Sequence, residues 1–104
     1  MIKINNIKQM AFTTNNPRLF NKQNVLALNP DQNGVYGIYK SGVWIYVGKG
    51  DIRERLLAHL NGDNPSILSN NPTHWVDEVI AGDPSSREEE LILELKPVCN
   101  KKIG

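Results

Sequence analysis

Apolar and β-branched residues are densest between Val35 and Val47, interrupted only at Ser41-Gly42, a pattern that predicts a β-hairpin. The period then lengthens. In "DIRERLLAHLNG", residues 51–62, Leu56, Leu57 and Leu60 form an apolar stripe, Asp51 and Glu54 have capping-box spacing, and Gly62 fits just past the end of a helix. The polar run "NGDNPSILSNNP" predicts a loop with a single turn after Pro65. "THWVDEVIAG" predicts a third strand, and "DPSSREEELILELK" a second main helix capped by Asp83, with Pro84 at its first position and Pro97 beyond its end. The order β-β-α-β-α predicts an α+β domain: a small, mainly antiparallel three-stranded sheet flanked by helices.

Residues 1–33 are rich in asparagine and lack clear periodicity. Within them "NPRLFNKQNVLAL" predicts a short helix, with Asn16 as N-cap and Pro17 at the first helical position. We expect this segment to be an extension of the same domain that covers one sheet edge, with residues 34–104 as the core. A chain of 104 residues makes one domain.

Composition alters this picture little. A net charge of +1, from 12 basic and 11 acidic residues, does not announce a nucleic-acid binder but leaves room for a local basic patch. No run approaches membrane-spanning length, and the N-terminus has no apolar leader, so an intracellular, cytoplasmic protein without a membrane partner is expected. A single cysteine, Cys99, excludes an internal disulfide framework and a cysteine-based zinc cluster.

Register governs what the hairpin presents. A two-residue Ser41-Gly42 turn in its common form needs positive φ at both residues, whereas a Lys40-Ser41-Gly42 loop needs it only at Gly42. Closing that loop with Tyr39 and Val43 sets Ile38 opposite Trp44 and Tyr36 opposite Tyr46, two phenols on one face, with Tyr39 on the other. Cross-strand packing alone accounts for such a pair. Arg55 and His59 are neighbours on one helical face, where a solvated surface is the commoner fate. Glu88 shares the apolar face of Leu91, Ile92 and Leu95, whereas Glu90 and Glu94 lie off it. A carboxylate there needs a cation or a metal, or else reaches water from the first helical turn, where the dipole favours it. Trp44, Trp75 and His74 read as structural.

Taken in order, these residues resemble the GIY-YIG nuclease family. Gly34-Val35-Tyr36 matches its first motif and Tyr46-Val47-Gly48 its second, and "YVGKGDIRERLLAHL" is similar to the run that leads to the family's helical arginine, particularly in excision-repair nucleases. Glu88, Leu91, Ile92, Pro97 and Asn100 match its C-terminal pattern. The resemblance spans residues 34–103, departing where Cys99 replaces the usual aromatic. It implies the GIY-YIG fold and a metal-dependent endonuclease that hydrolyses phosphodiester bonds in DNA. Arg55, rather than Arg53, matches the catalytic arginine; Glu88 matches the metal-binding glutamate, holding one Mg²⁺ or Mn²⁺; and Asn100 matches the site's asparagine, expected to fix local backbone or hold the Glu88 helix rather than to touch the proton transfer.

A free phenol needs nearby cations to serve as a base at neutral pH, and Lys49, Arg55 and the metal are candidates. Tyr36, Tyr46 and His59 all remain open as the base, with Tyr46 beside Lys49 first. Lys40, Lys49, Arg53 and Arg55 are expected to contact DNA backbone, giving weak, salt-sensitive binding, with targeting left to a protein partner or self-association. The alternative is a non-catalytic nucleic-acid- or protein-binding module on the same fold.

Overall fold

The apolar run after Asn33 becomes an inner strand of the sheet. In the computed structural model, which describes residues 12–100, β2 (Asn33–Lys40) lies between β3 (Val43–Asp51) and β4 (His74–Val79), and β1 (Arg18–Leu19) pairs with the far side of β4. All pairings are antiparallel, in the order β1-β4-β2-β3. The α+β class is as expected, but the sheet has four strands, not three. Residues 1–11 of the expected extension, and residues 101–104, lie outside the described residues.

The fourth strand replaces part of the expected helix after Asn16. Arg18 is drawn to β4 by an ion pair with Asp77 at 3.1 Å, and its guanidinium sits 4.8 Å from the centre of the Trp75 ring. Asn16 does not cap a helix; its side chain pairs with Asp77 on β4. The helix starts later, as α1 (Lys22–Leu26), with Asn21 accepting from the Asn24 amide. These contacts, with the Thr13 amide donating to Glu78 and the Thr14 hydroxyl to the Asp77 carbonyl, make residues 13–19 a cover over β4.

Three further helices follow the predicted positions. Asp51 caps α2 (Ile52–Leu60) by accepting from the Glu54 amide, and α3 (Pro65–Ser69) is the turn after Pro65. In α4 (Ser85–Leu95) the cap moves: Pro84 occupies the N-cap position, and Asp83, expected there, accepts from the Ser85 amide and hydroxyl one residue earlier. Lys96, left-handed at φ 49°, ends α4 before Pro97. Among the described residues no helix is long and apolar enough to cross a membrane.

Strand alternation gives two cores. Tyr36, Ile38, Ile45 and Trp75 pack against Leu56 of α2, Ile67 of α3 and Val25 of α1, while Val35, Val47 and Val76 pack against Leu91 and Leu95 of α4 on the other face. The hairpin register differs from the expected one. Lys40 pairs with Val43 across a two-residue Ser41-Gly42 loop, and the extra residue sits in β3 as a bulge at Ile45, so that Ile38 faces Tyr46 and Tyr36 faces Gly48. Gly42 alone in this loop has positive φ, 70°. Relative to the expected pairing, the partner of Tyr36 moves by two residues, from Tyr46 to Gly48, and a two-residue shift keeps every side chain on its face. Tyr46 becomes a diagonal neighbour of Tyr36, with ring centres 6.3 Å apart.

Asp77, 6 % exposed, accepts from Trp75 Nε1 at 2.7 Å, from Arg18 at 3.1 Å and from Asn16 at 3.3 Å. Asp77→Ala strands a buried indole N–H and frees β1, and we expect it to lower the unfolding free energy by about 2–4 kcal/mol at unchanged m-value in urea. A loss below about 0.5 kcal/mol would mean that packing alone holds the N-terminal cover.

Candidate active site

His59 is the centre of the site. Four residues after Arg55 on α2, it is buried at 1 % exposure rather than on the solvated face that its spacing suggested. Burial of an imidazole requires partners for both nitrogens, and both are present. Nε2 lies 2.8 Å from the Tyr36 hydroxyl, and Nδ1 lies 2.8 Å from Asp63 Oδ1. Tyr46 packs edge-on against the same imidazole, its ring centre 5.1 Å away. Arg55 donates to the other oxygen of Asp63 at 3.0 Å.

Asp63 escaped the sequence reading, and the way α2 ends explains how it arrives. The Asp63 amide reaches back to the Ala58 carbonyl and the Gly62 amide to the His59 carbonyl, with Gly62 left-handed at φ 87°. This 6→1 and 5→2 pair is a Schellman closure. It turns the chain back over the last helical turn and sets the Asp63 carboxylate beside His59, four residues earlier. Histidine followed four residues later by aspartate, across a glycine helix stop, was the available signal.

Charge and burial fix where the protons lie. Burial holds the His59 pKa below its usual 6.5; the Asp63 carboxylate opposes that effect, and Arg55 adds to it. Burial also acts to raise the Asp63 carboxyl, but the hydrogen bonds and charges of His59 and Arg55 outweigh it and hold the group below its ordinary range. At neutral pH a carboxylate only accepts and the imidazole is uncharged, so Nδ1–H donates to Asp63 and Nε2 accepts the Tyr36 O–H. Burial first, and the neighbouring Tyr46 second, push the Tyr36 phenol well above 10; Arg55 works the other way. Tyr46 is also raised, by burial and then by Glu88. Neither phenol is a standing phenolate near neutrality.

Gly48 permits this packing. A Cβ there would overlap the Tyr36 hydroxyl and come within 2.8 Å of the Tyr46 ring. Lys49, next in β3, reaches α4, where its ammonium lies 3.6 Å from the Glu88 carboxylate and donates to Ser85 Oγ at 3.1 Å. The Glu88 side chain is 22 % exposed, so a cation partner accompanies the carboxylate on its partly apolar face. One residue earlier, Arg87 is clamped to Glu78 of β4 at 3.0 Å and fastens the first turns of α4 to the sheet. Asn100 brackets the edge of β3, accepting from the Val47 amide at 2.8 Å and donating to the Val47 carbonyl at 2.9 Å.

Tyr36, Tyr46, Arg55, His59 and Asp63 therefore stand together, with Lys49 and Glu88 as a neighbouring ion pair and Asn100 behind the strand. Lys40 is elsewhere. It pairs with Val43 at the turn, whereas Lys49 pairs with Val35, five residues back along β2 and roughly 17 Å away. Arg53 lies near the start of α2, its Nε buried without a hydrogen-bond partner. Among the described residues no three His, Cys, Asp or Glu side chains group as metal ligands. No family model, no curated protein and no solved structure matches the chain.

The depressed His59 pKa makes stability pH-dependent. Between the folded value and the unfolded 6.5, the unfolded chain binds more protons, so the contribution is complete above 6.5 and is lost as pH falls through the folded value. Asp63, depressed from 3.8, acts in the same direction at lower pH. Urea midpoints measured from pH 7 down to about 5 should fall more steeply for wild type than for His59→Gln. Parallel slopes would show that His59 is not held neutral.

Proposed function

We propose that this chain is a metal-dependent endonuclease of the GIY-YIG type, acting on phosphodiester bonds in DNA. The observation that carries the reading is the hydrogen-bonded run Tyr36–His59–Asp63 with Arg55 on its outer end. An antiparallel hairpin carrying both tyrosine motifs, followed by the arginine helix, a further strand and the glutamate helix, supports the family resemblance.

Hydrolysis needs a water proton removed as the P–O bond forms, charge stabilisation on the phosphate, and a leaving oxygen. Tyr36 hands its own proton to His59 Nε2 while taking the proton of the attacking water. The raised phenol pKa is then no obstacle, because the proton comes to rest on imidazole and the Asp63 carboxylate stabilises the imidazolium formed. This favours the Tyr36–His59 pair as the base over Tyr46 with Lys49, since the Lys49 ammonium points to Glu88 and Ser85. Arg55, with its side chain 40 % exposed, offers a planar guanidinium to phosphate oxygens. Glu88 fits a hard divalent cation: one carboxylate, partly open to solvent and tied to Lys49 only at 3.6 Å, suits Mg²⁺ or Mn²⁺ with water and phosphate oxygens filling the shell. Such a cation, when bound, neutralises charge developing on the phosphate.

One observation favours the second reading, a non-catalytic binding module: Tyr36 is only 1 % exposed, and a sealed phenol is first of all a packing group. In either case Lys49, Arg53 and Arg55 offer few backbone contacts, and weak, salt-sensitive DNA binding follows. Self-association or a protein partner would then supply targeting.

Labelled single-stranded, duplex and branched DNA, incubated with Mg²⁺, Mn²⁺ or EDTA, separates these readings. Wild type should cut in the presence of metal and not in EDTA, and Glu88→Ala and Arg55→Lys, each shown to be folded, should lose about 10²–10³-fold in rate. Salt-dependent binding without cleavage of any substrate would hand the site to the binding-module reading.

A further inference from the structure

We propose that Asp63 is the positioning residue of this site: one carboxylate holds His59 in the tautomer that accepts from Tyr36 and anchors Arg55 at the same place. The catalytic part of this assignment rests on the nuclease reading above; the tautomer part does not.

The two oxygens of Asp63 have separate work. Oδ1 lies 2.8 Å from His59 Nδ1, and Oδ2 accepts from Arg55 Nη2 at 3.0 Å. An imidazole buried between two strands and a helix has two neutral tautomers of similar intrinsic stability, and only the one with hydrogen on Nδ1 leaves Nε2 free to receive a proton. The Tyr36 hydroxyl cannot make that choice, because it donates or accepts equally well. A carboxylate can, because it only accepts. Arg55 gains in the same way: a flexible side chain, 40 % exposed, is held at one end while its guanidinium stays beside the Tyr36 phenol. The anchor itself is well placed, because the backbone closure of α2 at Gly62 fixes residue 63 independently of its side chain.

A structural role and a positioning role diverge in Asp63→Asn. Asparagine keeps the size and one acceptor, so packing and stability change little, and the side chain of residue 63 is 37 % exposed. Its amide can also donate, however, which admits the tautomer with hydrogen on Nε2, and the negative charge is lost. The charged or titratable groups around His59 are Asp63 and Arg55 from its own helix and turn, Tyr36 from β2 and Tyr46 from β3.

Imidazole ¹⁵N spectra of wild type and Asp63→Asn, recorded across pH 5–8, decide the tautomer directly (the range is set about the ordinary histidine pKa of roughly 6.5). Wild type should show Nδ1 protonated and Nε2 bare; Asp63→Asn should show a mixed population and a lower His59 pKa, because the carboxylate favours the charged ring. Cleavage kinetics run beside it should show kcat reduced about 10²-fold in Asp63→Asn with KM little changed, the acid limb of its kcat–pH profile displaced to lower pH than in wild type, and partial recovery in Asp63→Glu. Identical ¹⁵N spectra and titrations in the two proteins would overturn the proposal, as would an altered tautomer with unchanged kcat. If wild type cuts no DNA, the nuclease reading falls by itself, and the ¹⁵N comparison still decides whether Asp63 sets the tautomer.

Discussion

A neutral imidazole buried with both nitrogens bonded is the constraint around which this half of the molecule is arranged. His59 has 1 % exposure, so each ring nitrogen needs a partner supplied by protein. One partner, the Tyr36 hydroxyl, comes from the inner strand of the sheet; the other, the Asp63 carboxylate, comes from the turn that closes α2. The histidine thereby ties the hairpin to the helix across the core formed by Ile38, Ile45, Leu56 and Ile67. Losing either partner would leave a buried polar nitrogen unsatisfied, at a cost of about 1–3 kcal/mol.

The hairpin bulge serves the same arrangement. With an unbulged two-residue loop, the pairing of Lys40 with Val43 would continue to Gly37 opposite Tyr46 and Tyr36 opposite Val47, and Tyr46 would leave the face of Tyr36. The extra residue at Ile45 restores the phase and turns Tyr46 toward His59. Gly48 then leaves room for the Tyr36 hydroxyl. On the free edge of β3, the Val98 and Cys99 amides bond to the Trp44 and Ile45 carbonyls and the Asn100 side chain bonds to Val47, so the bulged strand is held from both sides.

Periodicity made the main elements legible. The hairpin, α2, β4 and α4 stand where alternation, caps and prolines predicted them, because each is dominated by local rules. What the sequence hid depends on contacts distant along the chain. The segment after Asn16 has the cap and proline of a helix, yet Arg18 is claimed by Asp77 and Trp75, 59 and 57 positions later, and tertiary contacts outweigh a local signal worth about 1 kcal/mol. The phenols share a face despite a misjudged loop, because two errors of one residue sum to a shift that keeps parity. His59 looked solvated because helical spacing shows its neighbours along α2 but not the tyrosines above it. Asp63 was invisible as a site residue because it lies outside the helix whose face it completes.

Charge in the molecule is sorted by partner rather than by amount. The formal balance is +1, but the acids near the sheet each meet a specific cation: Asp77 meets Arg18, Glu78 meets Arg87, Asp63 meets Arg55 and Glu88 meets Lys49. The first two pairs are close, at 3.1 and 3.0 Å, with the acid side chains only 9 % and 11 % exposed, and they fasten the N-terminal cover and α4 to β4. The last two are more open, with Asp63 37 % and Glu88 22 % exposed, and their cations, Lys49 and Arg55, are 42 % and 40 % exposed. Screening makes such open pairs worth little to stability. In the proposed function, Lys49 exchanges the open Glu88 carboxylate for a phosphate oxygen at small cost and Arg55 keeps Asp63 through one nitrogen while offering its others, whereas Arg18 and Arg87 are committed to the scaffold.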